Sequence, residues 1–441
     1  MKIFRLTAES THYNNDLAID IGFAVRFRWV LLLVLLLLCA AALWIFTEPG
    51  LSPEAREWIN QANKPQTEAT EAWQQLLDLK SSANESTQIT ASQLEPMMEE
   101  AQVSSIVAPL YCRLRENGCL SRLLNSSQKL RLEIRDHRAL LDQYKQFVDS
   151  ENFQSPVTAE DAATAAYPFL SLGAKLSQFE IILRANSGRK SQATQMLNER
   201  LPKLRKSLAL MDTLGLKMLT ASILSEELDL VAGLYTRALI DPVESLRELS
   251  PLEVSMAGPL RREFLQHVGN LEAYEIDPER IELSNQSEGV AAWVSRIAYS
   301  KNRAINSIYS KYRKLLVKAS LPTIIIDDAF QRGSGRVEDI EKTLLDINSL
   351  VPAIFATGTR EDISDYIFRI RDIDGKLKLL RIRFHAPARA PAAFLDSIPD
   401  SVDLSNPYNP QQFVVYDQSK KTLCFQGPRP DLHSTRCIFT N

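Results

Sequence analysis

Residues 126–149 read SSQKLRLEIRDHRALLDQYKQFVD. Leu130, Ile134, His137, Leu141, Tyr144 and Val148 fall at spacings of 4, 3, 4, 3 and 4, which places them on one face of an α-helix. A histidine on such a stripe reads as a core residue with one hydrogen bond rather than as a metal ligand. The rhythm continues C-terminally: Leu172, Leu176, Phe179 and Leu183 mark a second helix, and NSGR at 186–189 marks a turn. A third helix carries Met196, Leu197, Leu204 and Leu208, and Met218 to Leu239 a fourth. Residues 126–240 are therefore expected to form successive helical hairpins. No 34-residue period is sustained, so a tetratricopeptide array is only weakly suggested.

Towards the N-terminus, Leu51-Ser52-Pro53-Glu54 has the chemistry of a helix start. Ser52 caps, Pro53 takes the first helical position, and Glu54 meets the positive end of the dipole. Trp58, Ile59, Trp73, Leu76 and Leu77 continue the helical reading, and the polar interval Lys80–Gln93 reads as a linker. Residues 289–326 contain no acid but seven cations, Arg296, Lys301, Arg303, Lys311, Arg313, Lys314 and Lys318. Such a helix can touch an anionic surface. The simpler reading is a core helix with a solvated face, because Trp293, Ile297, Ala304, Ile308, Tyr312 and Leu315 recur near helical spacing.

Beyond Pro322 the pattern changes. Val337, Ile340, Leu344 and Ile347 suggest one short helix. YIFRIRDI and KLKLLRIRF then alternate on either side of Asp374-Gly375, a dipeptide suited to a two-residue type I′ turn. That arrangement predicts a β-hairpin over 366–384. FVVYD (413–417) and TLCF (422–425) predict a second hairpin, and RCIFT (436–440) a further strand. The expected fold is mainly α: a helical region over 47–320, then a small α+β domain with β-hairpins over 321–441.

RFRWVLLLVLLLLCAAALWIF (26–46) sets the compartment. Residues 29–46 are eighteen uncharged positions, which cover ~27 Å as a helix against the ~30 Å hydrocarbon core of a bilayer. Trp29 and Trp44 sit where amphipathic rings prefer the headgroup level, and Arg26 and Arg28 abut the near end. A signal peptide cleaved at Ala40-x-Ala42 conflicts with the apolar run continuing to Phe46. Lipidation at Cys39 conflicts with Leu38 before it, where a small residue is expected. The favoured reading is an uncleaved transmembrane anchor over 29–46. Lys2, Arg5, Arg26 and Arg28 precede it, while only Arg56 and Lys64 follow closely, among Glu48, Glu54 and Glu57. The charge bias keeps residues 1–28 in the cytoplasm and exports the rest.

The chain has 441 residues, 24% charged, with a formal net charge of −3. This near balance gives no case for nucleic acid as a partner. Only 15 glycines are present and neither phosphate-loop fingerprint occurs, so no cofactor is expected. Outside Cys39 the cysteines form two local pairs, Cys112 with Cys119 and Cys424 with Cys437, which suggests disulfides in an oxidising compartment. Four cysteines allow three connectivities, and the shortest loops give 112–119 and 424–437. A 112–119 bridge requires CRLRENGC to be a loop, with Asn117-Gly118 supplying the turn. The alternative of zinc on Cys424, His433 and Cys437 lacks a common spacing and a fourth ligand. No metal is expected.

The histidines at 12, 137, 267, 385 and 433 are scattered, and no nucleophile elbow is present. Asp327-Asp328 follows an apolar run. Asp372-Ile373-Asp374 resembles the D-x-D of metal-dependent glycosyltransferases, but Asp374 is better explained as the first residue of the expected turn. No catalytic constellation emerges.

The anchor, LSPEA (51–55), the paired cysteines near residue 115, YSKNRAIN (299–306) and LSNPYNPQQFVVYD (404–417) together resemble a group of uncharacterised proteobacterial envelope proteins. The resemblance covers most of the chain and implies a Gram-negative inner-membrane protein with a periplasmic bulk. It implies no activity. Three functions are then compatible: a non-enzymatic scaffold that binds other envelope proteins, a single-pass subunit of a pilus or secretion assembly, and an anchored enzyme. The first accounts best for a helical region without a recognisable catalytic set.

Overall fold

The computed structural model describes residues 30, 32–36, 49–62, 67–82, 110–116, 118–156, 164–276, 300–326, 363–385, 398–399, 401–427, 431 and 435–439. It is mainly helical, with a small antiparallel sheet near the C-terminus. Among the described residues no helix is long and apolar enough to cross a membrane. Of the expected span 29–46, only Val30 and 32–36 are described, and they are helical. Arg26, Arg28, Trp29 and Trp44 lie outside the described residues, as do Asp327-Asp328, the expected helix around Val337–Ile347, and His433.

The chain enters the fold at α1 (Pro53–Ala62), where Ser52 Oγ accepts from the Ala55 backbone N–H at 3.2 Å, the cap its sequence position implied. Helix α2 (Thr67–Ser82) follows, and after the Cys112–Cys119 loop come α3 (Cys119–Asn125), α4 (Ser127–Asp136) and α5 (Arg138–Asp149). The stripe read over 126–149 is thus two helices bent at His137, whose φ of −111° and ψ of 27° leave the helical range. The bend tips His137 partly into solvent, beside Glu133 at 3.7 Å.

Helices α6 (Tyr167–Asn186), α7 (Lys190–Leu210) and α8 (Leu214–Thr236) form the centre. Gly188, at φ +75°, turns the chain between α6 and α7 in the NSGR stretch. Helices α6 and α8 are buried on nearly every side, which matches their high apolar content. Short α9 (Pro251–Val254) leads to α10 (Ala257–Ile276), which packs with α11 (Lys301–Ala319) and α1. Trp58, Phe264 and Tyr309 pack edge to face there, with ring centroids 5.1 to 6.0 Å apart. Ala304, Ile305, Ile308, Tyr309 and Tyr312 form the inward face of α11, and Lys311, Arg313 and Lys314 stand exposed.

Residues 366–384 are not a hairpin. They belong to α12 (Ile363–Phe384), one continuous helix packed on α8. Its least buried positions from Arg371 onward are Arg371, Asp374, Lys378, Arg381 and Phe384, spaced 3, 4, 3 and 3. The alternation in the sequence arises because Asp372, Lys376 and Arg383 are polar yet buried. Gly375 makes no turn: it lies inside the helix, and a Cβ there would meet the Tyr408 hydroxyl in ordinary contact at 3.5 Å.

The second hairpin and the last strand are present. β1 (Val415–Asp417), β2 (Thr422–Cys424) and β3 (Cys437–Phe439) form one sheet in that order. Val415 pairs with Cys424 and Cys424 with Cys437, so the second disulfide joins directly opposed residues on neighbouring strands. β3 lies against α8 and α12, which seats the sheet on the helical core.

Candidate functional site

Polar residues interrupt the two most apolar helices at helical spacing. On α6, Ser171, Lys175 and Gln178 lie 4 and 3 apart; on α8, Ser222, Glu226 and Asp229 do the same. The two stripes face one cleft of about 270 Å³, completed by Arg369 of α12, the disulfide-closed loop bearing Arg113 and Arg115, and Thr435 just before β3. Cys112 and Cys119, with Cα atoms 5.8 Å apart, close that loop. Gly118, at φ +79°, supplies the left-handed residue of its turn. Gly215 also lines the cleft, and a Cβ there would stand 2.7 Å from the Tyr167 hydroxyl.

Fixed ion pairs make the walls. Lys175 Nζ lies 3.2 Å from Glu226 Oε2, although the lysine is only 2% exposed. Asp229 Oδ1 is 2.8 Å from Lys376 Nζ, which also donates to Ser225 Oγ at 3.0 Å. Burial pushes the Asp229 carboxyl up and the Lys376 ammonium pulls it down. Behind the wall, Glu227 accepts from Gln178 Nε2 at 3.2 Å and pairs with Arg200 at 3.3 Å. Arg200 also donates to the Ala174 carbonyl at 3.0 Å and stacks over the Tyr144 ring. Burial raises the Glu227 carboxyl against the pull of Arg200.

A second polar knot ties α12 to the sheet. Tyr408 donates its hydroxyl to Asp372 Oδ1, Thr435 Oγ1 donates to Asp372 Oδ2 at 3.4 Å, and Arg436 lies 3.9 Å away. Burial pushes the Asp372 carboxyl up to about 6. Asp374, two residues along the helix, points elsewhere and accepts from the Leu249 backbone N–H at 2.6 Å. The two aspartates of D-x-D thus serve different neighbours and form no shared metal site, and Asp374 is not a turn residue. Among the described residues no group of three or more His, Cys, Asp or Glu side chains is placed to hold a metal ion. Cys424 and Cys437 are bonded to each other and so offer no thiolates.

Of the residues singled out from the sequence, Cys112, Cys119, Cys424 and Cys437 pair as the short loops implied. The cleft itself was not foreseen. Its signal was present in Lys175 and the Ser225-Glu226-Glu227 run, charges set inside helices otherwise apolar enough to be buried. The chain matches no protein-family model, no curated protein and no solved structure.

Proposed function

We propose that this chain is a single-pass protein of a bacterial inner membrane, with its N-terminus cytoplasmic. Its exported helical module works by binding, as a scaffold for other envelope proteins, rather than by catalysis. The observation that carries this reading is the junction after the apolar run. Asn306 of α11 donates from Nδ2 to the Gly50 carbonyl at 3.0 Å, and its Oδ1 accepts from the Ser52 backbone N–H at 2.8 Å. Phe46 stands only four residues before Gly50, a reach of at most ~14 Å. A span ending at Phe46 would therefore hand over to the folded module with almost no slack. Such a joint suits a platform held at a fixed distance from a bilayer.

Two disulfides accord with an oxidising compartment beyond that span. Binding rather than catalysis is supported by how the cleft uses its acids: Glu226 and Asp229 are each held by a lysine. The test is capture of the tagged full-length protein from cells cross-linked before detergent extraction. The same envelope protein should be recovered each time, and recovery should fall when the protein is truncated after residue 50. Recovery of the chain alone would contradict the reading.

A further inference from the structure

The cleft holds cationic capacity that its own acids do not use. Arg113, Arg115, Lys175 and Arg369 line it against Glu226 and Asp229. Lys175 answers Glu226, and Lys376 answers Asp229 from behind the wall. Arg115 feels Glu226, Asp229 and Asp431 at a distance, but makes no hydrogen bond or ion pair among the described residues. Arg369 stacks over the Tyr366 ring at 5.6 Å and likewise has no acceptor among them. Both side chains are half-buried. A guanidinium offers five N–H donors in a planar fork whose natural complement is a carboxylate or phosphate.

Gln178 borders the same cleft but is only 1% exposed, with Nε2 committed to Glu227, so it forms wall and leaves recognition to the arginines. Ser171 and Ser222 line the cleft as well. The volume of about 270 Å³ admits a small molecule rather than a folded chain.

We propose that this cleft binds a small dicarboxylic acid, with its carboxylates on Arg115 and Arg369. Two separated carboxylates are favoured over one compact phosphate because Glu226 and Asp229 stand in the same walls and oppose concentrated negative charge. The inference rests on the cleft alone and holds whether or not the chain is membrane-anchored.

Malate is the probe. Calorimetric titration into the full-length protein in neutral detergent micelles at low salt should give saturable binding with one site per chain. Arg115→Gln and Arg369→Gln should each weaken it at least tenfold while melting with the wild type, because neither guanidinium holds another described residue by a hydrogen bond. Succinate, with the same two carboxylates, should compete for the site, and inorganic phosphate should not displace malate. Absence of malate binding, or affinity unchanged in both arginine variants, overturns the proposal. Failure of succinate to compete, or displacement by phosphate, overturns the dicarboxylate assignment.

Discussion

Replacing Lys376 by methionine removes a cation that α12 inserts into the body of α8. In the wild type its Nζ sits 2.8 Å from Asp229 Oδ1 and 3.0 Å from Ser225 Oγ. The two charged side chains are 1% and 2% exposed. Methionine fills nearly the same volume, so the loss is electrostatic: a carboxylate stays buried with its ammonium gone. Breaking such a pair from one side costs about 3–5 kcal/mol, a hundredfold or more in the unfolding equilibrium. Replacing both partners, as in Asp229→Leu with Lys376→Met, leaves no orphaned charge and should stay within about 1 kcal/mol of the wild type or exceed it. Acid distinguishes this from simple mispacking. Burial already raises the Asp229 carboxyl above its unfolded value, and without Lys376 nothing nearby opposes that rise as strongly. A carboxyl raised in the folded state stabilises when protonated and loses that contribution as pH rises through its folded value. The deficit of Lys376→Met should therefore be greatest near neutrality and shrink on acidification. Urea unfolding followed by far-ultraviolet circular dichroism, at pH 7 and pH 5, reads both quantities. A single variant within 1 kcal/mol of wild type at pH 7, or a deficit that ignores pH, would refute the reasoning.

Other consequences follow from the same packing. Asp372 and Asp374 are both raised to about 6 by burial. Their contribution to stability is full below their unfolded value near 3.8 and is lost as pH rises through about 6, so Asp372→Asn with Asp374→Asn should flatten the stability profile between those limits. At Gly173 a Cβ would meet Tyr144 Cβ at 2.6 Å where α6 crosses α5. Gly173→Ala should therefore cost about 1–3 kcal/mol in a denaturant titration, despite alanine's better helix propensity. Removing the first bridge with Cys112→Ala and Cys119→Ala frees a loop with a sequence separation of 7. The expected loss is about 2 kcal/mol, together with weaker malate binding, since Arg113 and Arg115 ride on that loop.

The helical plan was legible because most helices bury one face and leave the other wet, so their apolar residues recur at 3 and 4. The cap at Ser52 and the turn at Gly188 were legible for a related reason: each is a local chemical requirement that one residue type satisfies. Helix α12 escaped because it is buried on most sides. Lys376 and Arg383 look solvent-facing in the sequence but are buried; the first is held by Asp229 and the second lies 5.3 Å over the Tyr235 ring. Counting them as outward-facing manufactures a period of two. The competing signal was there: Ile370, Ile373, Leu377, Leu380 and Phe384 are spaced 3, 4, 3 and 4. The cleft escaped for the same reason one level up, since its walls come from residues as distant as Arg115, Glu226 and Arg369, brought together by tertiary packing. The two disulfides lay within reach because short loops leave few alternatives.

Everything proposed about the setting depends on which side of a bilayer the folded module occupies. Spheroplasts expressing the chain with an epitope tag on Met1 should be treated with protease from outside, with and without detergent. The account predicts that the intact cells yield a short tagged fragment comprising the tail and the apolar run, with the helical module digested. A full-length tagged chain that survives until detergent is added would contradict it.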